Sequence, residues 1–145
     1  MIYTEQTKLA LRICFEAHRN QLDKSNLPYV FHPFHLAEQM QTEETIIVAL
    51  LHDVVEDSAY TLQDLEHFGF SESVLQAVSL LTHDQDTDYF AYIAEIKKNA
   101  IARDVKLADL KHNSDLSRLD QVDAAAILRN QKYWKAIQIL EQKEQ

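Results

Sequence analysis

The chain has 145 residues, of which 46% are hydrophobic and 26% charged, which fits one folded domain, 1–145, with a real core and excludes a disordered chain. One Gly and two Pro are too little turn chemistry for an all-β fold. A formal net charge of −9 without any basic run argues against a nucleic-acid partner, and no apolar run approaches the ~18 residues of a membrane span.

Thr4 can cap a first helix running to about Leu22, with Leu9, Ile13 and Ala17 at helical spacing. Cys14, the only cysteine, falls on its apolar side and reads as core, so no internal disulfide is expected. No basic-then-apolar leader precedes it, and a reducing, cytoplasmic location is the expectation. Asp23 to Pro28 is a loop by composition, and Tyr29-Val30-Phe31 is expected to pack against the core. Pro33 suits the first turn of a second helix reaching about Met40, which places His32 at its entrance. Thr42, Glu43 and Glu44 open a third helix. Thr61 starts a short helix that Gly69 ends, and Ser71 caps another that reaches about Thr82. His83 to Thr87 is a polar loop, and Asp88 begins a helix through Tyr92 and Ile96. Further helices are expected from Ala100 to about Leu116 and from Val122 to about Gln142, the last with Tyr133 and Trp134 as ordinary core packing. No stretch alternates in hydropathy, so the fold class is all-α.

The stretch Leu50-Leu51-His52-Asp53-Val54-Val55-Glu56-Asp57 carries the chemistry. On a continuous helix, His52, Asp53, Glu56 and Asp57 fall at about 0°, 100°, 40° and 140°. Ile47, Val48, Leu51 and Val55 fall opposite, so one face can bury while four hydrophilic groups share a space. An acidic run on a solvated face is the plain alternative. Against it stand the adjacent His and Asp, the apolar surroundings and matching groups elsewhere. His32 lies at a helix entrance, and Asp109 sits among Leu107, Ala108 and Leu110, where a buried carboxylate must be paired or coordinated. Two imidazoles and two carboxylates suit manganese, iron, cobalt or zinc, and leave positions open for water and a substrate oxygen. Glu56 and Asp57 then lie where a general base or a water-positioning acid is needed.

Four blocks in order resemble the RelA/SpoT-type hydrolase domains of the HD superfamily of metal-dependent phosphohydrolases. They are Ala17-His18-Arg19-Asn20-Gln21, Pro28-Tyr29-Val30-Phe31-His32-Pro33, Ala49 to Asp57, and Val105-Lys106-Leu107-Ala108-Asp109 through His112-Asn113. The likeness covers roughly residues 5 to 120. It implies an all-α HD-domain helical bundle, manganese as the metal, and removal of the 3′-pyrophosphate from guanosine alarmones, (p)ppGpp. By motif position it implies His32, His52, Asp53 and Asp109 as metal ligands and Glu56 and Asp57 as the catalytic pair. Lys24, Lys106 and Asn113 become candidate contacts to a small anionic nucleotide, with Asn113 near the ribose, and Arg12, Arg103 and Arg118 are further available cations. The length matches single-domain members, the small alarmone hydrolases, without room for a synthetase domain.

One departure bears on specificity. Where these domains commonly carry Arg-Lys, the Arg stacking on guanine, this chain has Asp23-Lys24. A carboxylate cannot stack as a cation on a purine and repels phosphate. Loose base discrimination is expected, and a phosphatase acting on another nucleotide phosphate ester is the rival. A metal-free regulatory nucleotide-binding domain is a second rival, but its sign would be a broken ligand set, and every group is present. His35 mimics a metal pair with His32 but reads as a surface or packing residue. His18, His67, His83 and His112 read as structural or solvent-facing, His18 having an alternative role behind the metal or toward a phosphate.

Overall fold

The computed structural model describes residues 1–142. The order is α1 (Glu5–Ala17), α2 (Phe31–Glu38), α3 (Glu43–Leu51), α4 (Val54–Asp57), α5 (Leu62–His67), α6 (Glu72–Leu81), α7 (Tyr89–Lys97), α8 (Ala100–Asn113), a 3-10 turn (Leu116–Arg118) and α9 (Ala124–Glu141). Among the described residues the only β pairing is one isolated bridge between Leu22 and Pro28, and the all-α class holds. No helix among them is long and apolar enough to cross a membrane.

The helix starts follow local chemistry. Thr4, Thr42 and Thr61 each accept from the amide three residues on, whose own side chain returns a bond to the cap backbone. Ser71, Asp88, Asn99 and Asp123 cap α6 to α9 with a single side-chain acceptor. Each such cap typically contributes about 1 kcal/mol. After α5, Gly69 takes φ +91°, the left-handed conformation that ends a helix at no cost in Cβ clash.

The centre of the bundle is α3. Every residue from Thr45 to Leu51 is buried, so this helix must be surrounded on all sides. It packs against α1, α2, α6 and α8. Cys14 lies in the same core, and burial pushes its thiol up to about 12.

Several boundaries differ from the sequence expectation. The first helix stops at Ala17, not near Leu22. His18 leaves the helical conformation at the C-cap, and the chain turns back so that Tyr29 N donates to Gln21 O (2.9 Å). Phe31 does not join the core. It becomes the first residue of α2 with its side chain outward and 61% exposed. The eighth helix ends at Asn113 and a 3-10 turn follows. Trp134 is not core packing: it is 52% exposed. The inward stripe of α9 runs through Ala126, Ala136, Ile137 and Leu140, with Tyr133 half-buried, while Ile127 and Trp134, two turns apart, share the outward stripe.

Candidate metal centre and the pocket beside it

The helix carrying the central stretch breaks within it. The third helix ends at Leu51, His52 and Asp53 form a turn, and α4 restarts at Val54. Asp53 sits at φ −108°, ψ 1°, outside the helical well. The expected single face of four hydrophilic groups is therefore not what forms. His52 points inward toward α8, and Asp53 lies beside it. Glu56 accepts from His83 N on the loop after α6, and Asp57 accepts from Gln21 Nε2 (3.1 Å). The break sends the two pairs to different neighbours.

Three separate elements meet at the inward side. His32 from the entrance of α2, His52 from the end of α3 and Asp109 from α8 offer ligand atoms that all lie within 4.8 Å of one another, and all three residues are buried. His32 Nε2 is 2.8 Å from Asp109 Oδ1, and His52 Nε2 is 3.6 Å from the same oxygen. Asp53 is next to this group, its Oδ2 3.1 Å from His52 Nε2, and it also accepts from the Tyr29 hydroxyl. Asp109 is held from behind by Lys106 Nζ on Oδ2 (2.9 Å) and by Asn113 Nδ2 on Oδ1 (3.1 Å).

The donor set can be tested against a divalent cation. His52 Nδ1 is 2.6 Å from Ala49 O, and a carbonyl only accepts, so the ring proton is on Nδ1. In the neutral ring, the form that can hold a metal, the other nitrogen, Nε2, carries the lone pair. It is buried with no aligned hydrogen-bond partner, and it faces two carboxylates. Burial works against a charged His52, but Asp53 and Asp109 outweigh it and raise the imidazole well above its ordinary value, so without a metal Nε2 holds a proton between the two carboxylates and an ion would take that proton's place. Burial also works against ionised Asp53 and Asp109. Here His52 outweighs it for Asp53, and Lys106 and the imidazoles outweigh it for Asp109, holding both carboxyls below the usual range. The geometry asks for a positive centre among these atoms, and a divalent metal fits the demand. His112, expected to be structural or solvent-facing, touches the set: its Nδ1 is 2.7 Å from His32 Nδ1, and the rings stack at 5.0 Å. Burial and nearby Arg118 push His112 down to about 4, so it stays neutral and can accept from His32.

Beside this centre opens a cavity of about 400 Å³, whose wall includes His32, Tyr29, Lys24, Asn113, Arg118 and Arg129. Lys24 and Asn113, two of the sequence-derived substrate contacts, line it. The third, Lys106, does not. Its side chain is 14% exposed and spent on Asp109. Lys24 is lowered from its ordinary value by burial and by Arg129, its neighbour on the wall, with Lys132 adding to the effect. Glu56 is raised, chiefly by burial.

Asp23 borders the cavity but is engaged by its own loop. Its Oδ1 accepts from Ser25 N (2.8 Å) and Leu27 N (3.0 Å), and Oδ2 lies 3.8 Å from Arg118. Sequence reasoning missed Tyr29, Gln21 and His112 as neighbours of the site. Tyr29 lies three residues before His32, one turn of the approach to α2, and that spacing was the available signal. Gln21 and His112 fall within two of the blocks that carry the family resemblance, which was the signal for them.

No protein-family profile matches the chain. The chain is related in sequence to guanosine-3′,5′-bis(diphosphate) 3′-pyrophosphohydrolase of Aquifex aeolicus, 32% identical over 137 residues, 90% of this chain and 19% of the relative. It is 36% identical over 123 residues, 75% of this chain and 18% of the relative, to the bifunctional (p)ppGpp synthase/hydrolase SpoT of Escherichia coli K12. The chain thus spans about a fifth of the length of the curated relatives it matches. A solved structure of a metazoan ortholog of SpoT, described as hydrolysing ppGpp, superposes with a TM-score of 0.76 at 24% identity, covering 97% of this chain and 88% of that one. The fold is therefore that of the SpoT-type hydrolase domain.

Proposed function

We propose that the chain, related along most of its length to (p)ppGpp 3′-pyrophosphohydrolases, is a metal-dependent phosphohydrolase that cleaves the 3′-pyrophosphate of a guanosine alarmone. The observation that carries this reading is the convergence of His32, His52 and Asp109, with the buried Nε2 of His52 facing two carboxylates, at the edge of a cation-lined cavity of nucleotide size. We take residues 1–145 as one domain, and His32, His52, Asp53 and Asp109 as the ligands. Mixed nitrogen and oxygen donors with no thiolate suit manganese, iron, cobalt or zinc, and the resemblance to the RelA/SpoT-type hydrolase domains makes manganese the first choice.

When bound, the metal would polarise a phosphoryl oxygen and acidify a water, the standard contribution of such ions to phosphate ester hydrolysis. The chain supplies the rest. Lys106 keeps Asp109 ionised and turned so that Oδ1 faces the two imidazoles. Desolvation raises Glu56 above the ordinary carboxylate, which makes it the better proton acceptor, and its bond from His83 N fixes where it acts. Asp57 is the second carboxylate of the pair, available to orient the attacking water. Lys24, Arg118 and Arg129 give the anionic nucleotide a positive wall in a chain that is otherwise acidic. Asn113 lies between Asp109 and the cavity, where a sugar hydroxyl would meet it.

Asp23 favours a second reading of the specificity. It places a carboxylate, not a guanidinium, on the cavity wall, where Leu22, Leu116, Leu119 and Ala126 supply apolar surface. Apolar walls hold any base. The substrate would then be selected by its phosphates, and a phosphate ester on another nucleotide would serve. A panel of guanosine and adenosine nucleotides, with and without 3′-phosphates, offered to the manganese-loaded protein with products identified, tests both. Pyrophosphate release confined to 3′-diphosphates supports the first reading. Orthophosphate release from a 2′-, 3′- or 5′-monoester, with 3′-diphosphates untouched, would establish the second.

A further inference from the structure

The end of α1 carries a polar chain, buried at His18 and open to solvent at Asp57, that none of the chemistry above uses. We propose that His18 and Gln21 are positioning residues for Asp57, a buried imidazole fixing the direction of an amide that in turn holds the carboxylate. The inference rests on the reading of Asp57 as part of the reacting pair.

His18 closes α1 as its C-cap and is 1% exposed. Its Nδ1 lies 2.8 Å from Gln21 Oε1, and its Nε2 is buried without any partner. An amide oxygen only accepts, so Nδ1 carries the proton and Nε2 is a lone pair. The opposite tautomer would leave a buried N–H unsatisfied and set two acceptors against each other, which costs more. With Oε1 occupied, the amide nitrogen of Gln21 must point the other way. It does, donating to Asp57 Oδ2 at 3.1 Å. The chain of bonds therefore has one sense, from imidazole to amide to carboxylate, and one carboxylate oxygen is pinned while the other stays free.

The backbone holds the same residues. Gln21 N donates to His18 O (3.1 Å), and Gln21 O accepts from Tyr29 N (2.9 Å), next to the Leu22–Pro28 bridge. The His18 ring packs on Tyr29, centroids 4.9 Å apart, and the Tyr29 hydroxyl donates to Asp53. One imidazole thus stands behind Asp57 through Gln21 and behind Asp53 through Tyr29. No metal ligand bonds to His18 or Gln21 directly, so their loss acts on orientation and not on the charge of the centre.

The test has two arms. The first needs no activity: ring ¹⁵N shifts of His18, read by long-range proton–nitrogen correlation in wild type and Gln21→Met. The expected result is an Nδ1–H tautomer in wild type and a mixed or inverted one in Gln21→Met. An Nε2–H tautomer in wild type would overturn the proposal whatever the enzyme does. The second arm is kinetic, on the manganese-loaded protein. Gln21→Met should lower kcat by about tenfold or more with KM within about twofold. Its manganese affinity should remain that of wild type. His18→Asn, whose amide N–H can take the place of Nδ1–H, should retain more kcat than His18→Leu. Wild-type kcat in Gln21→Met overturns the proposal, as does a parallel loss of manganese affinity, or equal damage from the two His18 variants. Undiminished turnover in Asp57→Asn would instead remove the underlying reading of Asp57, and the tautomer arm would still report on the chain of bonds.

Discussion

Lys106 and Asp109 face each other one turn apart on α8, with Nζ 2.9 Å from Oδ2 and both side chains largely buried. The pair does two things at once: it satisfies a carboxylate that burial would otherwise neutralise, and it rotates the other oxygen toward His32 and His52. Breaking a buried pair by removing one partner typically costs about 3–5 kcal/mol, because the other charge is left without compensation. Lys106→Met should therefore lower the Tm of the metal-free protein clearly. Manganese offers Asp109 a new counter-charge, so the rise in Tm on adding it should be larger in the variant than in wild type. A smaller rise would mean that Lys106 helps to hold the metal site together and does not merely stand in for a cation.

Chelation follows from the same electrostatics. The three buried ligand groups come from α2, the end of α3 and α8, so an ion among them ties separate elements of the native state. A ligand that binds only the folded form adds about 2.7 kcal/mol at a hundredfold excess over its Kd. Stripping manganese from protein shown to contain it should lower Tm, and His52→Ala should abolish that difference. An equal response to chelator in His52→Ala would place the ion elsewhere.

Much of this could be read before the structure. Thr4, Thr42, Thr61, Ser71 and Asp88 declare helix starts because a short side-chain acceptor satisfies an orphan amide locally. His32, His52 and Asp109 were chosen from motif order, and the fold brings them together. The break at His52 and Asp53 was not legible. A helical wheel assumes a constant turn per residue, and nothing in Leu51-His52-Asp53-Val54 is a helix breaker by itself. The turn exists because His52 must reach α8 while Glu56 and Asp57 reach the loop after α6 and the loop after α1. Trp134 misled for a related reason. Both it and Ile127 look like core by residue type, but the stripe that faces α8 is set by Ile137 and Leu140.

Asp23 read as a misplaced charge in sequence and proves also to be the keystone of its loop. Its Oδ1 bonds to Ser25 N and Leu27 N can be kept by an asparagine oxygen, whereas its charge cannot. Asp23→Asn should hence preserve Tm and lower KM for an anionic nucleotide, with kcat little changed, as expected for a contact that acts on ground and transition states alike. Asp23→Ala should weaken the loop and raise KM instead. In wild type, guanosine and adenosine substrates with the same phosphates should differ by less than about tenfold in kcat/KM, roughly 1.4 kcal/mol. A much larger preference for guanine would show that another residue of the wall reads the base.

The most direct measurement is a titration of manganese into chelator-stripped protein, with guanosine 3′,5′-bis(diphosphate) as substrate and the products separated. Pyrophosphate and guanosine 5′-diphosphate should form at a rate that rises with metal and levels off at one ion per chain. Glu56→Gln should reach the same metal occupancy with turnover about 10²–10⁴-fold lower, the usual contribution of a general acid–base group. Pyrophosphate release at full rate from metal-free protein, or no release at full occupancy, would contradict the proposed metal-dependent hydrolysis at His32, His52, Asp53 and Asp109.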